Sequence, residues 1–191
     1  MNIVLLSGSP SAVSRSAQLL QHVQQRLADS GARCTLLPLR ELPAQPLLQG
    51  ETGHGGLQAA LERVQAADLV VVATPIYKAA YSGLLKAFLD LLPQDALRGK
   101  VVLPLATGGS LAHLLAIDYA LKPVLHALGA RHIADAVFVA DAQAPLGADG
   151  RYRPEPAVLE RLDRALLGVF EPVPRRRVAA LSLVPALAAS C

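Results

Sequence analysis

The run Asp68–Thr74, DLVVVAT, constrains the fold more than any other stretch of this chain. A strand with one wet face alternates apolar and polar residues. This run is apolar at five consecutive positions, as expected of a strand covered on both faces. Such strands belong to parallel sheets with helices packed above and below. The rest of the chain repeats the theme. Strand-like runs are expected at Asn2–Ser7, Arg33–Leu39, Asp68–Thr74, Lys100–Ala106 and Ile133–Val139. Between and after them lie helical patterns at Ala17–Ala28, Leu57–Ala66, Gly83–Leu92, Leu111–Leu128 and Pro154–Phe170. Gly31 and Gly129 stop two of these helices and Pro93 closes another. Pro104 is a warning in the fourth strand, because proline cannot donate to a ladder. Glu41–Gly56 is rich in Pro, Gly and Gln and reads as a loop.

Strands alternating with helices imply right-handed βαβ units and an α/β sandwich of three layers. At 191 residues the chain is expected to hold one folded domain, 1–170. The segment Pro172–Cys191 carries Pro172, Pro174, Arg175–Arg177 and a small-apolar run. It is expected to be an extension, either disordered or seeking an interface. The apolar fraction of 52% is high, yet no run reaches the roughly 18 apolar residues of a membrane span. The start MNIVLL is short and lacks a basic flank, so no secretion leader is expected. The net charge of +3 is mild and no basic stripe is interleaved with aromatics, so nucleic acid is not an expected partner. Cys34 and Cys191 suggest neither a disulfide framework nor a metal site, and a reducing cytoplasm fits best. The five histidines form no ligand motif, so no protein-bound metal is expected.

In a parallel α/β sheet, ligands bind beyond the carboxyl ends of the strands. Three loops follow those ends, and all three are unusual. Gly8–Arg15 is dense in serine and opens a helix. Unpaired N–H groups and the positive end of the helix macrodipole would meet an anion there. Ser9, Ser14 and Ser16 add hydroxyls and Arg15 a guanidinium fork, which suits the phosphate of a mononucleotide. A Ser-rich turn with a good N-cap would look similar. Pro75–Ser82 offers Pro75, Ile76, Tyr77, Lys78 and Tyr81 between strand and helix. Aromatic faces and main-chain donors there suit a flat isoalloxazine ring; ordinary packing tyrosines would too. Thr107, Gly108 and Gly109 let a ligand approach the backbone closely, or make a tight turn. His113 follows, either facing the ligand or serving as a structural donor. The chain lacks a GxSxG elbow, paired catalytic carboxylates, a Walker A loop and GxGxxG. Flavin chemistry is consistent with that gap, because the cofactor carries the reaction.

These residues also carry a resemblance. GSP followed by SRS, then ATPIYKAAYSGLLKAFLDLLP and GKVVLPLATGGSLAHLLAIDYALKPVL, resemble the NAD(P)H-dependent FMN reductases, and most of all the branch serving alkanesulfonate and methanesulfonate monooxygenases. The resemblance spans about residues 1–170. It implies a flavodoxin-like fold with a five-stranded parallel sheet of order 2-1-3-4-5. It also implies reduction of FMN by NADPH or NADH, and release of FMNH2 to a partner monooxygenase that cleaves a carbon–sulfur bond. By motif, Ser9, Ser14, Arg15 and Ser16 hold the phosphate. Pro75, Ile76, Tyr77 and Lys78 hold the ring, with Ser82 nearby, and Thr107, Gly108 and Gly109 complete the pocket. Many members carry Arg where this chain has Ser11, which leaves one phosphate cation fewer. The branch has a π-bulge at a tyrosine of a tetramer interface, matched here by Tyr119; a homo-oligomer, dimer or tetramer, is expected. Pro123 lies four residues on and cannot donate to the Tyr119 carbonyl, which is equally compatible with a plain kink. Arg40 and Arg98 are candidates for contact with a nicotinamide nucleotide's 2′-phosphate. Two other readings remain at this point: a quinone or azo reductase with FMN as a fixed prosthetic group, and an electron carrier of flavodoxin type. Flavodoxins are usually strongly acidic, unlike this chain.

Overall fold

A computed structural model describes residues 1–170; the Pro172–Cys191 extension lies outside the described residues. Strands β1 (Ile3–Ser7), β2 (Cys34–Pro38), β3 (Leu69–Tyr77) and β5 (Val101–Gly108) pair in parallel in the order β2-β1-β3-β5. The fifth position, beside β5, holds β6 (His132–Ile133) and β7 (Val137–Ala140). This is the expected flavodoxin-like 2-1-3-4-5 sheet, built from more pieces. Seven strand segments replace the five expected, for two separate reasons.

The first reason is a bulge. Val101 pairs with His132 and Leu105 with Val137, so the edge spends five residues where β5 spends four. One extra residue breaks the ladder and splits the expected Ile133–Val139 strand. Pro104 sits at the level of the break. Val101 N–H points to β3, where it bonds the Asp68 carbonyl, and the Val102 carbonyl points to the edge, where it accepts from Ala134. By the two-residue alternation of a strand, the missing N–H of Pro104 falls on the edge side, where pairing lapses. A proline inside a strand paired on both sides is thereby tolerated.

The second reason is a hairpin. β3 runs beyond the level of β1 and turns back as β4 (Ala80–Tyr81), with Ile76 opposite Tyr81 and Tyr77 opposite Ala80. The two turn residues, Lys78 and Ala79, have φ of 49° and 63°. Two-residue hairpins favour turns with both central residues at positive φ, usually filled by Asn and Gly. Neither is present here, so the turn is strained.

The pleat sorts the core. Val4, Leu6, Val70, Val72 and Val102 face one layer, where α3 (Gly55–Gln65), α4 (Gly83–Leu89) and α5 (Lys122–Ala127) pack. Ile3, Leu5, Leu69, Val71, Leu103 and Leu105 face the other, with α1 (Arg15–Asp29) and α6 (Pro156–Phe170). In α1, Leu19, Leu20, Val23 and Leu27 are buried, one stripe at helical spacing. Each fully buried Leu or Val contributes about 1.5–3 kcal/mol. The Pro/Gly/Gln segment expected to be a loop contains a further short helix, α2 (Ala44–Gln49). Leu47 decides it by burying against the core. Among the described residues, no helix is long and apolar enough to cross a membrane.

The expected Leu111–Leu128 helix is broken up. It comprises a 3-10 turn at Leu111–His113, a π turn at Ile117–Leu121 and then α5. The Lys122 N–H reaches five residues back to the Ile117 carbonyl. Pro123 has no N–H to close the next α-type bond to Tyr119, and the wider turn absorbs that gap. Lys122 Nζ lies 2.6 Å from Asp118 Oδ1 across it.

Two backbone substitutions test this reading with opposite signs. Gly129 has φ of +87°, and a Cβ there would lie 3.3 Å from the Asp95 Cα. Gly129→Ala should lower stability by about 1–2 kcal/mol, whereas Ala79→Gly should raise it by roughly 0.5 kcal/mol as strain is relieved. Urea midpoints measured at constant slope would check both.

Candidate functional site

The three unusual loops meet at one rim. The carboxyl ends of β1, β3 and β5 lie there, with Ser7 opposite Ala73 and, further along, Pro75 opposite Thr107. A small cavity of about 170 Å³ opens between them. Ser14 and Arg15 line it from the first loop, Pro75, Ile76 and Tyr77 from the second, and Thr107, Gly108 and Gly109 from the third. Larger cavities of about 600 and 620 Å³ lie elsewhere, beside the broken edge strand and between the ends of α1 and α6. Neither lies where the carboxyl ends of β1, β3 and β5 converge, so the small cleft is the better candidate.

The α1 terminus is built as an anion site. Ser14 is the N-cap: its Oγ accepts from the Ala17 N–H at 3.1 Å and its carbonyl from the Gln18 N–H at 3.0 Å. The Arg15 and Ser16 N–H groups are left without intrahelical partners. No acidic residue sits in the first turn to cover the positive end of the dipole. Ser9 and Ser16 are buried just behind, outside the cavity lining. Ser9 Oγ accepts from the Ser11 N–H and thus shapes the loop, and Ser16 Oγ lies 3.3 Å from Ser14 Oγ.

Arg15 is not a free cation. Its Nε donates to the Ala144 carbonyl at 2.9 Å, its Nη1 lies 3.2 Å from Asp141 Oδ2, and its guanidinium sits 4.3 Å above the Tyr152 ring centroid. Asp141 and Tyr152 also line the cleft, and the sequence reading missed both. Asp141 directly follows β7, so the rule of strand carboxyl ends could have found it. Tyr152 arrives through a bridge with Leu146 and carries no local signal.

Ser82 does structural work. Buried at the start of α4, its Oγ donates to the Gly8 carbonyl and accepts from the Leu85 N–H at 3.1 Å. Its own N–H donates to Thr74 Oγ1 at 3.0 Å. One residue thus joins the first loop, β3 and α4. A Cβ on Gly8 would stand 3.0 Å from the Leu85 Cβ and 3.2 Å from the Ala73 carbonyl oxygen, so that approach needs glycine.

The ring-side residues divide. Tyr77 is 49% exposed at the mouth of the cleft, and Lys78 lies exposed on the strained turn, outside the lining. Burial pushes the Tyr81 phenol up, partly opposed by the Lys86 ammonium. His113 is half-buried in the 3-10 turn, also outside the lining, and its Nδ1 is buried without a hydrogen-bond partner. Tyr119 lies on the π turn, away from the lining, and is exposed. Arg40 pairs with Glu41, and Arg98 stands before β5 at the opposite rim. Among the described residues no group of three or more His, Cys, Asp or Glu is placed to hold a metal ion.

A mononucleotide fits this arrangement in part. Bare N–H groups and hydroxyls suit its phosphate, and a Cβ built on Gly109 would meet nothing within 4 Å, which leaves open space along the third loop. Sites that enclose a ligand measure about 300–1,000 Å³. The cavity takes only part of such a molecule, and the remainder would lie on the open rim.

Ser82→Ala tests the clamp. It strands the buried Gly8 carbonyl and uncaps α4, and should cost about 2–3 kcal/mol. Calorimetric or urea unfolding would measure that loss.

Comparison with known proteins shows the family. The family profile described as NADPH-dependent FMN reductase matches residues 1–144. An FMN reductase (NADPH) of Escherichia coli K12 is 46% identical over 180 residues, 93% of each chain. An FMN reductase (NADPH) of Pseudomonas putida KT2440 is 48% identical over 143 residues, covering 75% of this chain and 73% of that one. Among solved structures, the apo form of the NADH:FMN oxidoreductase EMOB superposes with a TM-score of 0.77 at 44% identity, over 86% of both chains. With its parallel sheet and its serine-rich helix start, this chain belongs to the NADPH-dependent FMN reductase family.

Proposed function

We propose that the rim cleft binds FMN as an exchangeable substrate, reduces it with NAD(P)H, and releases FMNH2 to a partner monooxygenase that cleaves the carbon–sulfur bond of an alkanesulfonate or methanesulfonate. FMN supplies the redox chemistry: it takes a hydride from the nicotinamide and a proton from solvent, leaving NAD(P)+. The chain's own residues bind and orient. The Arg15 and Ser16 N–H groups, with Ser14 and Arg15, face the phosphate. The backbone of Pro75–Tyr77 and of Thr107–Gly109 flanks the ring. Residues 1–170 form the reductase domain.

The observation that carries the flavin reading is the cleft itself. It joins the bare N–H groups of the α1 start to the backbone of two further loops at the carboxyl ends of β3 and β5; that the flavin comes and goes rests on the motif resemblance. The sulfonate partner rests on the motif resemblance. Relatives named for NADPH and for NADH stand at similar identity, 46% and 44%, so both nucleotides belong in the assay. An oligomer is supported by four large apolar side chains left exposed beside the π turn: Leu111, Leu114, Leu115 and Tyr119.

The purified protein should be colourless and should oxidise NADPH or NADH only when FMN is added. Adding an FMNH2-dependent monooxygenase with methanesulfonate or a longer alkanesulfonate should then release sulfite. A yellow protein passing electrons to quinones without free flavin would replace this reading. Deleting Tyr119 should remove the extra residue of the π turn and disturb assembly, read by light scattering and turnover together.

A further inference from the structure

Arg15 is held more tightly than a phosphate-binding cation requires. A carbonyl, a carboxylate and an aromatic face all claim it: Ala144 at 2.9 Å, Asp141 at 3.2 Å and Tyr152 at 4.3 Å. All three come from the segment after β7, more than 120 residues away in sequence. Arg15, Asp141 and Tyr152 line the same cleft as Ser14. The cleft therefore presents a compensated cation beside its helix N-terminus.

The guanidinium has five N–H donors. Nε and one donor of Nη1 are engaged, which leaves three. A phosphate that uses those three comes close to the Asp141 carboxylate, a like charge. We propose that Asp141 is a positioning residue that acts through Arg15 as a brake on phosphate binding: it shares the guanidinium with the flavin's phosphate and so keeps FMN exchangeable. This rests on the phosphate placement argued above and explains how that site holds its substrate loosely. Asp141 can be neutralised without losing Arg15's position, because the Ala144 carbonyl and the Tyr152 face remain. The Asp141 side chain is 43% exposed, so its influence is screened and moderate.

The test is direct binding, read by flavin fluorescence without nicotinamide nucleotide. Wild-type protein should bind FMN more tightly than riboflavin. Asp141→Asn should tighten FMN about three- to tenfold at low salt, as expected for removing one charge several ångströms from a dianion at the surface. Riboflavin should change less than twofold, and the FMN gain should shrink as salt rises. Asp141→Glu should bind as the wild type does, and Asp141→Ala should behave like the asparagine variant. Arg15→Ala should weaken FMN at least tenfold, and adding Asp141→Asn to it should recover less than the same change gains in the wild type, because only the direct repulsion remains.

Failures separate cleanly. Equal binding of FMN and riboflavin by the wild type removes the phosphate placement. A wild type that prefers FMN, with Asp141→Asn unchanged or weaker, keeps the placement and removes the brake. Equal tightening of both flavins, or a gain insensitive to salt, points to rearrangement and also overturns it.

Discussion

Everything at the rim depends on three buried strands whose carboxyl ends meet there, and on one hydroxyl that ties the loops after them together. Ser82 Oγ bonds the Gly8 carbonyl while capping α4, and its N–H is anchored on Thr74. Gly8 is pressed against Leu85 and the Ala73 carbonyl with no room for a side chain. The serine loop after β1 thus has no freedom to drift from β3. The helix start that follows it faces the cleft because the sheet and this clamp leave it nowhere else to go.

The sheet contributes in a second way. Both faces of β1, β3 and β5 are dry, and their residues divide cleanly between two helical layers. Parallel strands covered on both sides can direct polar groups only at their ends. Function is confined there by exclusion. The cleft uses backbone N–H groups, glycine approaches and short hydroxyls, parts that position a ligand rather than react with it. That suits a reaction in which the flavin and the nicotinamide exchange the electrons between themselves.

Much of this was legible before any coordinates. DLVVVAT announced a covered strand, and the alternation of strands and helices gave the sandwich. The three loops were found because strand carboxyl ends are predictable. What escaped was set by distant partners. α2 formed in a Pro/Gly/Gln stretch because Leu47 reaches the core, a tertiary gain that local propensity does not register. The bulge at the fifth strand has no signature in Ile133–Val139, and only Pro104, far away in sequence, hints at it. Arg15 lines the cleft, as its place in the first loop suggests, yet its three anchors lie beyond β7, out of reach of any local pattern. Ser82 carried a helix-start signal, but its bond to Gly8 spans 74 residues.

The interrupted edge has a bearing on solubility. A long flat border strand is a template on which other chains can add, the first step toward aggregates. Here that border is two short pieces, offset by one residue and backed by a proline that cannot donate. An incoming strand would find no continuous ladder to copy. With an apolar fraction of 52%, such a chain has more need than most of a blunted border, and the same irregularity that accommodates Pro104 provides it.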